Sequence, residues 1–211
     1  MEYGVAIGVS MALAIFIRFF LVEAYQIPSS VMRPGLLPGD YIFASKISYG
    51  VKIPFSREYL IEGSSPKYGD VVVYEGGGEK DNLIKRVVGL PGDTIQIRDG
   101  RLIFNGQTLK FDPGKTPSCG SEAHPKGAYN VCYEPPFPPN VGPITVPARS
   151  VYVLADYRTQ AARRKGGDVV PLSAIKGKAV LVWLSVKPKS EGDQMSLIPS
   201  FRLDRFFSWV N

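Results

Sequence analysis

The sequence predicts a mostly β fold: one N-terminal transmembrane helix followed by a domain of antiparallel, barrel-like sheets. Three observations predict it. Residues 4–22 are nearly all apolar, with Arg18 as the one charge. From Asp40 to Ser185, short alternating runs recur between Gly and Pro turns, as in sheet proteins. Asp99-Gly100 sits between two such runs, a strong short-range hairpin signal. At 211 residues, 45% hydrophobic and 21% charged, the chain can bury a sizeable core in one or two domains.

Taken in order, residues 1–24 read as a retained anchor. The apolar run is about 20 residues, one bilayer thickness. Arg18 near its end can snorkel to the headgroups, with Phe19 and Phe20 at the interface. A cleaved leader would need a basic start and a small-x-small site; Glu2 and Val22-Glu23-Ala24 supply neither. No Lys or Arg precedes the run, so charge does not orient it.

Residues 25–211 form the β domain. Strands are expected over Asp40–Lys46, Asp70–Tyr74, Leu83–Leu90, Thr94–Arg98, Arg101–Phe104, Ser150–Leu154 and Lys178–Ser185. Residues 111–143, rich in Pro, Gly and Lys, read as a loop-rich insertion. The tail Phe201–Val210 mixes Phe206, Phe207 and Trp209 with Arg202 and Arg205, which suits a short interfacial helix or ordinary packing on the domain.

Several function classes are excluded. The net charge of +6 carries no long basic run, and Arg163-Arg164-Lys165 reads as a solvated loop, so no nucleic-acid partner is expected. No zinc-finger, P-loop or dinucleotide motif is present, and no metal or cofactor is expected. His124, the one histidine, lies between Cys119 and Cys132, a set short of a fourth metal ligand and a poor start for a Ser-His-Asp triad. In an exported domain the two cysteines would close a disulfide; otherwise they are unpaired thiols.

Candidate chemistry gathers in Ile27-Pro28-Ser29-Ser30-Val31-Met32-Arg33-Pro34-Gly35-Leu36, where the anchor hands over to the domain, and at Lys85 inside an apolar run. A lysine desolvated by apolar neighbours loses its proton more readily, and can then activate a serine hydroxyl. On residues alone, Lys85 also reads as an ordinary strand lysine.

These motifs resemble the type I signal peptidases over nearly the whole chain. Ile27 to Pro34 matches the box that follows the family's anchor. Lys85-Arg86-Val87-Val88-Gly89-Leu90-Pro91-Gly92-Asp93 is similar to its lysine box. Gly39-Asp40, Tyr49-Gly50, Asp99-Gly100, Asn105-Gly106, Val170-Pro171, Ile175 to Ala179 and Val182-Trp183 follow in order. The resemblance implies two antiparallel sheet domains on a membrane anchor, with an apolar face on the bilayer. The β domain would lie on the outer, periplasmic side of the cytoplasmic (inner) membrane. It implies removal of signal peptides by a Ser-Lys dyad, with Lys85 at the general-base position.

Two departures stand against that activity. The family box reads Pro-Ser-x-Ser-Met-x-Pro-Thr-Leu. Aligned on Met32-Arg33-Pro34, Ser29 takes the oxyanion-hole position and Val31 the nucleophile's, with Gly35 in place of Thr. Counting back from Val170-Pro171, Asp156 and Arg158 match, but the serine that orients the lysine becomes Ala161. Ser30 is the substitute nucleophile to consider; on an extended segment it would point away from the face shared by Ser29 and Val31. The reading is a membrane-anchored signal-peptidase-like protein with impaired or absent peptidase activity. Its expected partners are the lipid bilayer and signal peptides, or an active paralogue. The alternatives are an active peptidase using Ser30 with Lys85, and an envelope interaction protein without a peptide groove.

Overall fold

The computed structural model describes residues 2–16, 18, 21–52, 59–76, 82–159, 167–188 and 200–210. A helix, α1 (Glu2–Phe16), is followed by β1 (Val22–Gln26), β2 (Asp40–Ser45), β3 (Gly50–Lys52), β4 (Tyr59–Glu62), β5 (Val71–Glu75) and β6 (Asn82–Gly89). Next come β7 (Thr94–Arg98), β8 (Arg101–Phe104), β9 (Gln107–Thr108), β10 (Lys110–Thr116), β11 (Cys119–His124) and β12 (Gly127–Tyr133). The chain closes with β13 (Val141–Thr145), β14 (Ser150–Leu154), β15 (Tyr157–Arg158), β16 (Gly167–Pro171), β17 (Ile175–Ser185) and β18 (Ser208–Trp209).

The main sheet runs β1-β2-β17-β5-β6-β14-β16, with β18 added to β17. Every pairing in it is antiparallel. A second sheet runs β10-β11-β12-β15, a third β13-β7-β8-β9, and β3 pairs β4. The hairpin expected at Asp99-Gly100 forms, with φ of 48° and 76° at the two turn residues, the positive values that a tight two-residue hairpin needs.

Three apolar clusters organise the interior. One joins Ile95, Ile97, Leu102 and Phe104 of the hairpin to Tyr129, Val131 and Leu154. A second collects Ile27, Met32 and Leu36 with Ile42, Val71, Val73 and Val182. A third lines the other face of the sheet with Val72, Tyr74, Val87, Val153 and Val170. Alternation along β6 explains the division: Ile84 faces the second cluster, while Val87 faces the third.

Of three expectations, the membrane-spanning helix is not supported, the loop-rich insertion is corrected, and the tail takes one of its two readings. First, α1 has 15 residues, so it is roughly 22 Å long against about 30 Å of hydrocarbon. Among the described residues no helix is long and apolar enough to cross a membrane. The apolar run continues past Phe16, but its last residue, Val22, already opens β1 opposite Ser45. Phe19 and Phe20 lie outside the described residues.

Second, the segment 111–143 is no loop excursion. It carries β11 and β12, most of β10 and the start of β13, and Cys119 faces Cys132 in register. The two are joined as a disulfide. Gly120 permits the close approach of β10 to β11, since a Cβ there would stand 2.1 Å from the Asp112 carbonyl oxygen.

Third, of the two readings of the tail, packing on the domain is the one the structure shows, not an interfacial helix. It forms a single 3-10 turn, Leu203–Arg205, and the two-residue β18. Its arginines turn inward: Arg205 Nη2 lies 2.6 Å from Asp40 Oδ2 and Arg202 Nη2 3.3 Å from Asp40 Oδ1. The Ser185 hydroxyl donates to the same carboxylate at 2.6 Å, and Asp40 is fully buried beneath this clamp.

Candidate active site

The box after β1 does not continue as a strand. Pro28 and Pro34 limit its backbone, and Ser30–Met32 close a 3-10 turn in which Arg33 N–H donates to the Ser30 carbonyl at 3.0 Å. Ser29, extended at φ −138° and ψ 166°, precedes the turn and is exposed. The strand-face reasoning for Ser30 therefore gives way to turn geometry, in which successive side chains fan out by about 120°. Ser30 is half-buried. Met32 is buried and Val31 packs partly buried in the second cluster, which also receives Ile84. Val31 is thus an aliphatic side chain seated on the core.

Gly35, in place of a threonine, lies against an ion pair: a Cβ there would stand 3.7 Å from Arg86 Nη2 and 3.8 Å from Asp156 Oδ2. Arg86 holds Asp156 with two hydrogen bonds, Nε to Oδ1 at 2.8 Å and Nη2 to Oδ2 at 2.7 Å, and its Nη1 donates to the Gly69 carbonyl at 2.7 Å. Burial works against the Arg86 charge, and the Asp156 carboxylate overrides it, so the guanidinium is held charged more firmly than usual. Arg158, the other residue matching the family pattern here, is buried and reaches Glu122 at 3.1 Å. Glu122 also accepts from the Tyr129 hydroxyl at 2.6 Å and from Tyr133. Asp156 thus ties the stretch entering β15 to β6 of the main sheet, while Arg158 and Glu122 join two strands within the second sheet.

Lys85 is buried, with a side chain 7% exposed. It lies opposite Val72 of β5. On its other side, Val87 pairs with Val153 of β14, and Val153 pairs with Asp168 of β16. Pleating puts Lys85, Val87, Val153 and Asp168 on one face. Lys85 Nζ reaches diagonally to Asp168 Oδ2 at 3.5 Å. The Tyr74 hydroxyl donates to the same oxygen at 3.1 Å, and burial together with the Asp168 charge raises that phenol far above its ordinary value.

The structure thus groups Val31 with Ile84, and Lys85 with Asp168 and Tyr74. Ala161 and Arg163-Arg164-Lys165 lie outside the described residues. Among the described residues no group of acidic, His or Cys side chains could hold a metal. His124 instead packs between Tyr68 and Phe104, and burial lowers its proton affinity.

Asp168 is the residue that sequence reasoning missed. It stands two residues before Val170-Pro171, and only the β14–β16 register places it beside the lysine.

Comparison with known proteins gives a consistent result. The family profile described as "Signal peptidase, peptidase S26" matches residues 1–184. Signal peptidase I of Pseudomonas fluorescens is 33% identical over 223 aligned residues, covering 95% of this chain and 76% of that protein. That of Pseudomonas aeruginosa is 33% identical over 222, with the same coverages. That of Leptolyngbya laminosa is 33% identical over 189, covering 86% of this chain and 78% of that protein.

Proposed function

The chain belongs to the signal peptidase, peptidase S26 family, and from that premise we propose that it is a membrane-anchored export-pathway protein whose peptidase reaction is lost. It keeps the binding half of the family's task, holding signal-peptide-like segments in extended form along the cleft by strand addition. The observation that carries this reading is Val31. Aligned on Met32 and Pro34 it falls where the family box has its nucleophile, and its side chain packs against the core cluster with Ile27, Met32 and Ile84. An isopropyl group has no lone pair with which to attack a carbonyl. In serine hydrolases, deleting the nucleophile costs about 10⁶ in turnover.

Membrane anchoring is part of the proposal. It is supported by the apolar run of residues 4–22 and by the all-round exposure of α1 from Tyr3 to Leu13, where Tyr3 is 86% and Val5 67% exposed. Such a surface is apolar enough to favour lipid over water.

A purified full chain mixed with a preprotein carrying a small-x-small site should leave it uncut, while a photo-crosslinking signal-peptide probe is captured near Ser29 and Lys85. Cleavage abolished by Lys85→Ala would overturn the reading. An active enzyme using Ser30 is the second reading, favoured by the half-buried place of Ser30 in the 3-10 turn beside Val31. It requires that Ser30→Ala abolish cleavage.

A further inference from the structure

The lysine itself is held in a way that the missing nucleophile does not explain. A general base must be neutral when the serine proton departs. Apolar burial alone would favour the neutral amine, but a carboxylate at ion-pair distance favours the ammonium. Here both act on one side chain: Lys85 is buried, yet Nζ lies 3.5 Å from Asp168 Oδ2.

Asp168 is not a free surface acid that swings to the lysine by chance. Its backbone pairs with Val153 in β14, its side chain is 18% exposed, and its Oδ2 receives the Tyr74 hydroxyl at 3.1 Å. The hydrogen-bond donor on that oxygen holds the carboxylate in place, facing the amine. We propose that Asp168, braced by Tyr74, is a positioning residue that locks Lys85 as an ammonium ion, closing the general-base position from inside the sheet. The lock would act separately from the substitution at Val31. It deepens the proposed loss of peptidase chemistry and rests on that reading only for its functional meaning.

The other groups around the pair do not undo this charge balance. Tyr74 of β5 stays protonated. Burial and then the Asp168 charge push Tyr152 of β14 up to about 12, so it too stays neutral. Val72 and Val153, the neighbours on β5 and β14, are apolar. Arg86 alternates to the opposite face of β6 and is committed to Asp156. Asp168 places a carboxylate oxygen at ion-pair distance from Lys85.

The test reads the lysine directly. Full-length protein labelled with ¹³C at lysine Cε is titrated by NMR in detergent micelles, with the Lys85 signal identified by its loss in Lys85→Arg. In the wild type Lys85 should titrate at or above the ordinary lysine value of about 10.4. Asp168→Asn should lower that midpoint by about one to three pH units, and Asp168→Glu should restore it. A wild-type midpoint below about 9 overturns the proposal even if Asp168→Asn fails to fold, because it shows the amine already freed. An unchanged midpoint in folded Asp168→Asn overturns it as well.

A cleavage assay separates the two ideas. Cleavage by the wild type would refute the loss of peptidase activity, while the titration would still decide the role of Asp168.

Discussion

Lys85 Nζ and Asp168 Oδ2 lie 3.5 Å apart although their strands, β6 and β16, are not neighbours; β14 lies between them. The contact is a diagonal across three strands, made possible by the Val87–Val153–Asp168 register. It bears on how the reaction could be rebuilt. Val31→Ser on its own is expected to leave a preprotein uncut over hours, because residue 31 packs with Ile84 on one face of β6 while Lys85 is paired with Asp168 on the other. Gel analysis of the substrate checks this, and full conversion by the single variant would contradict it.

The Arg86–Asp156 pair predicts a large stability effect. Both side chains are almost wholly buried, so Asp156→Ala leaves a guanidinium without its counterion. Breaking such a pair from one side costs about 3–5 kcal/mol. Urea unfolding followed by tryptophan fluorescence should show that loss, and a change below about 1 kcal/mol would mean that the pair does not brace the sheets.

The Cys119–Cys132 bridge closes the β11–β12 hairpin. On the loop-entropy account a bridge over so short a loop contributes about 3 kcal/mol. The double variant Cys119→Ser/Cys132→Ser should lose stability of that order in urea. Thiol titration of the unfolded wild type should find no free thiol until a reductant is added.

His124 predicts a pH dependence. Burial lowers its proton affinity, against the pull of the Glu122 and Asp93 carboxylates. The unfolded chain therefore binds the histidine proton at a higher pH than the folded one. Stability should be full above the unfolded value of about 6.5 and fall as pH drops from there toward the lowered folded value. His124→Gln should flatten that slope in urea titrations between about pH 6.5 and pH 5. An identical slope in both proteins would remove His124 as its cause.

How much of this was legible beforehand depended on whether the signal was local. The strands around Asp99-Gly100 and the run Leu83–Leu90 declared themselves through alternation and turn residues, and β6 to β8 lie where expected. Val31 was legible through its fixed spacing to Met32 and Pro34. The segment from Lys110 to Tyr133 was not, because its strands are poor in β-branched residues and are held by pairing and the disulfide. The 3-10 turn at Ser30 depends on backbone bonds that alternation cannot report. Asp168 was hidden for a different reason: its meaning comes from a partner two strands away, and no spacing rule encodes a diagonal.

The clamp on Asp40 has a consequence for how the protein can be trimmed. Asp40 belongs to β2, and its carbonyl accepts from Ile27 N–H at 2.8 Å, so it ties down the residues just before Ser29 and Val31. Arg202 and Arg205 reach that carboxylate from the far end of the chain. The two ends of the domain are therefore fastened at one buttoned point. A protease nick or truncation after Ser200 would strip two cations from a buried anion and slacken the box, although the cut lies remote in sequence. Removing α1 ahead of Val22 would leave the button closed.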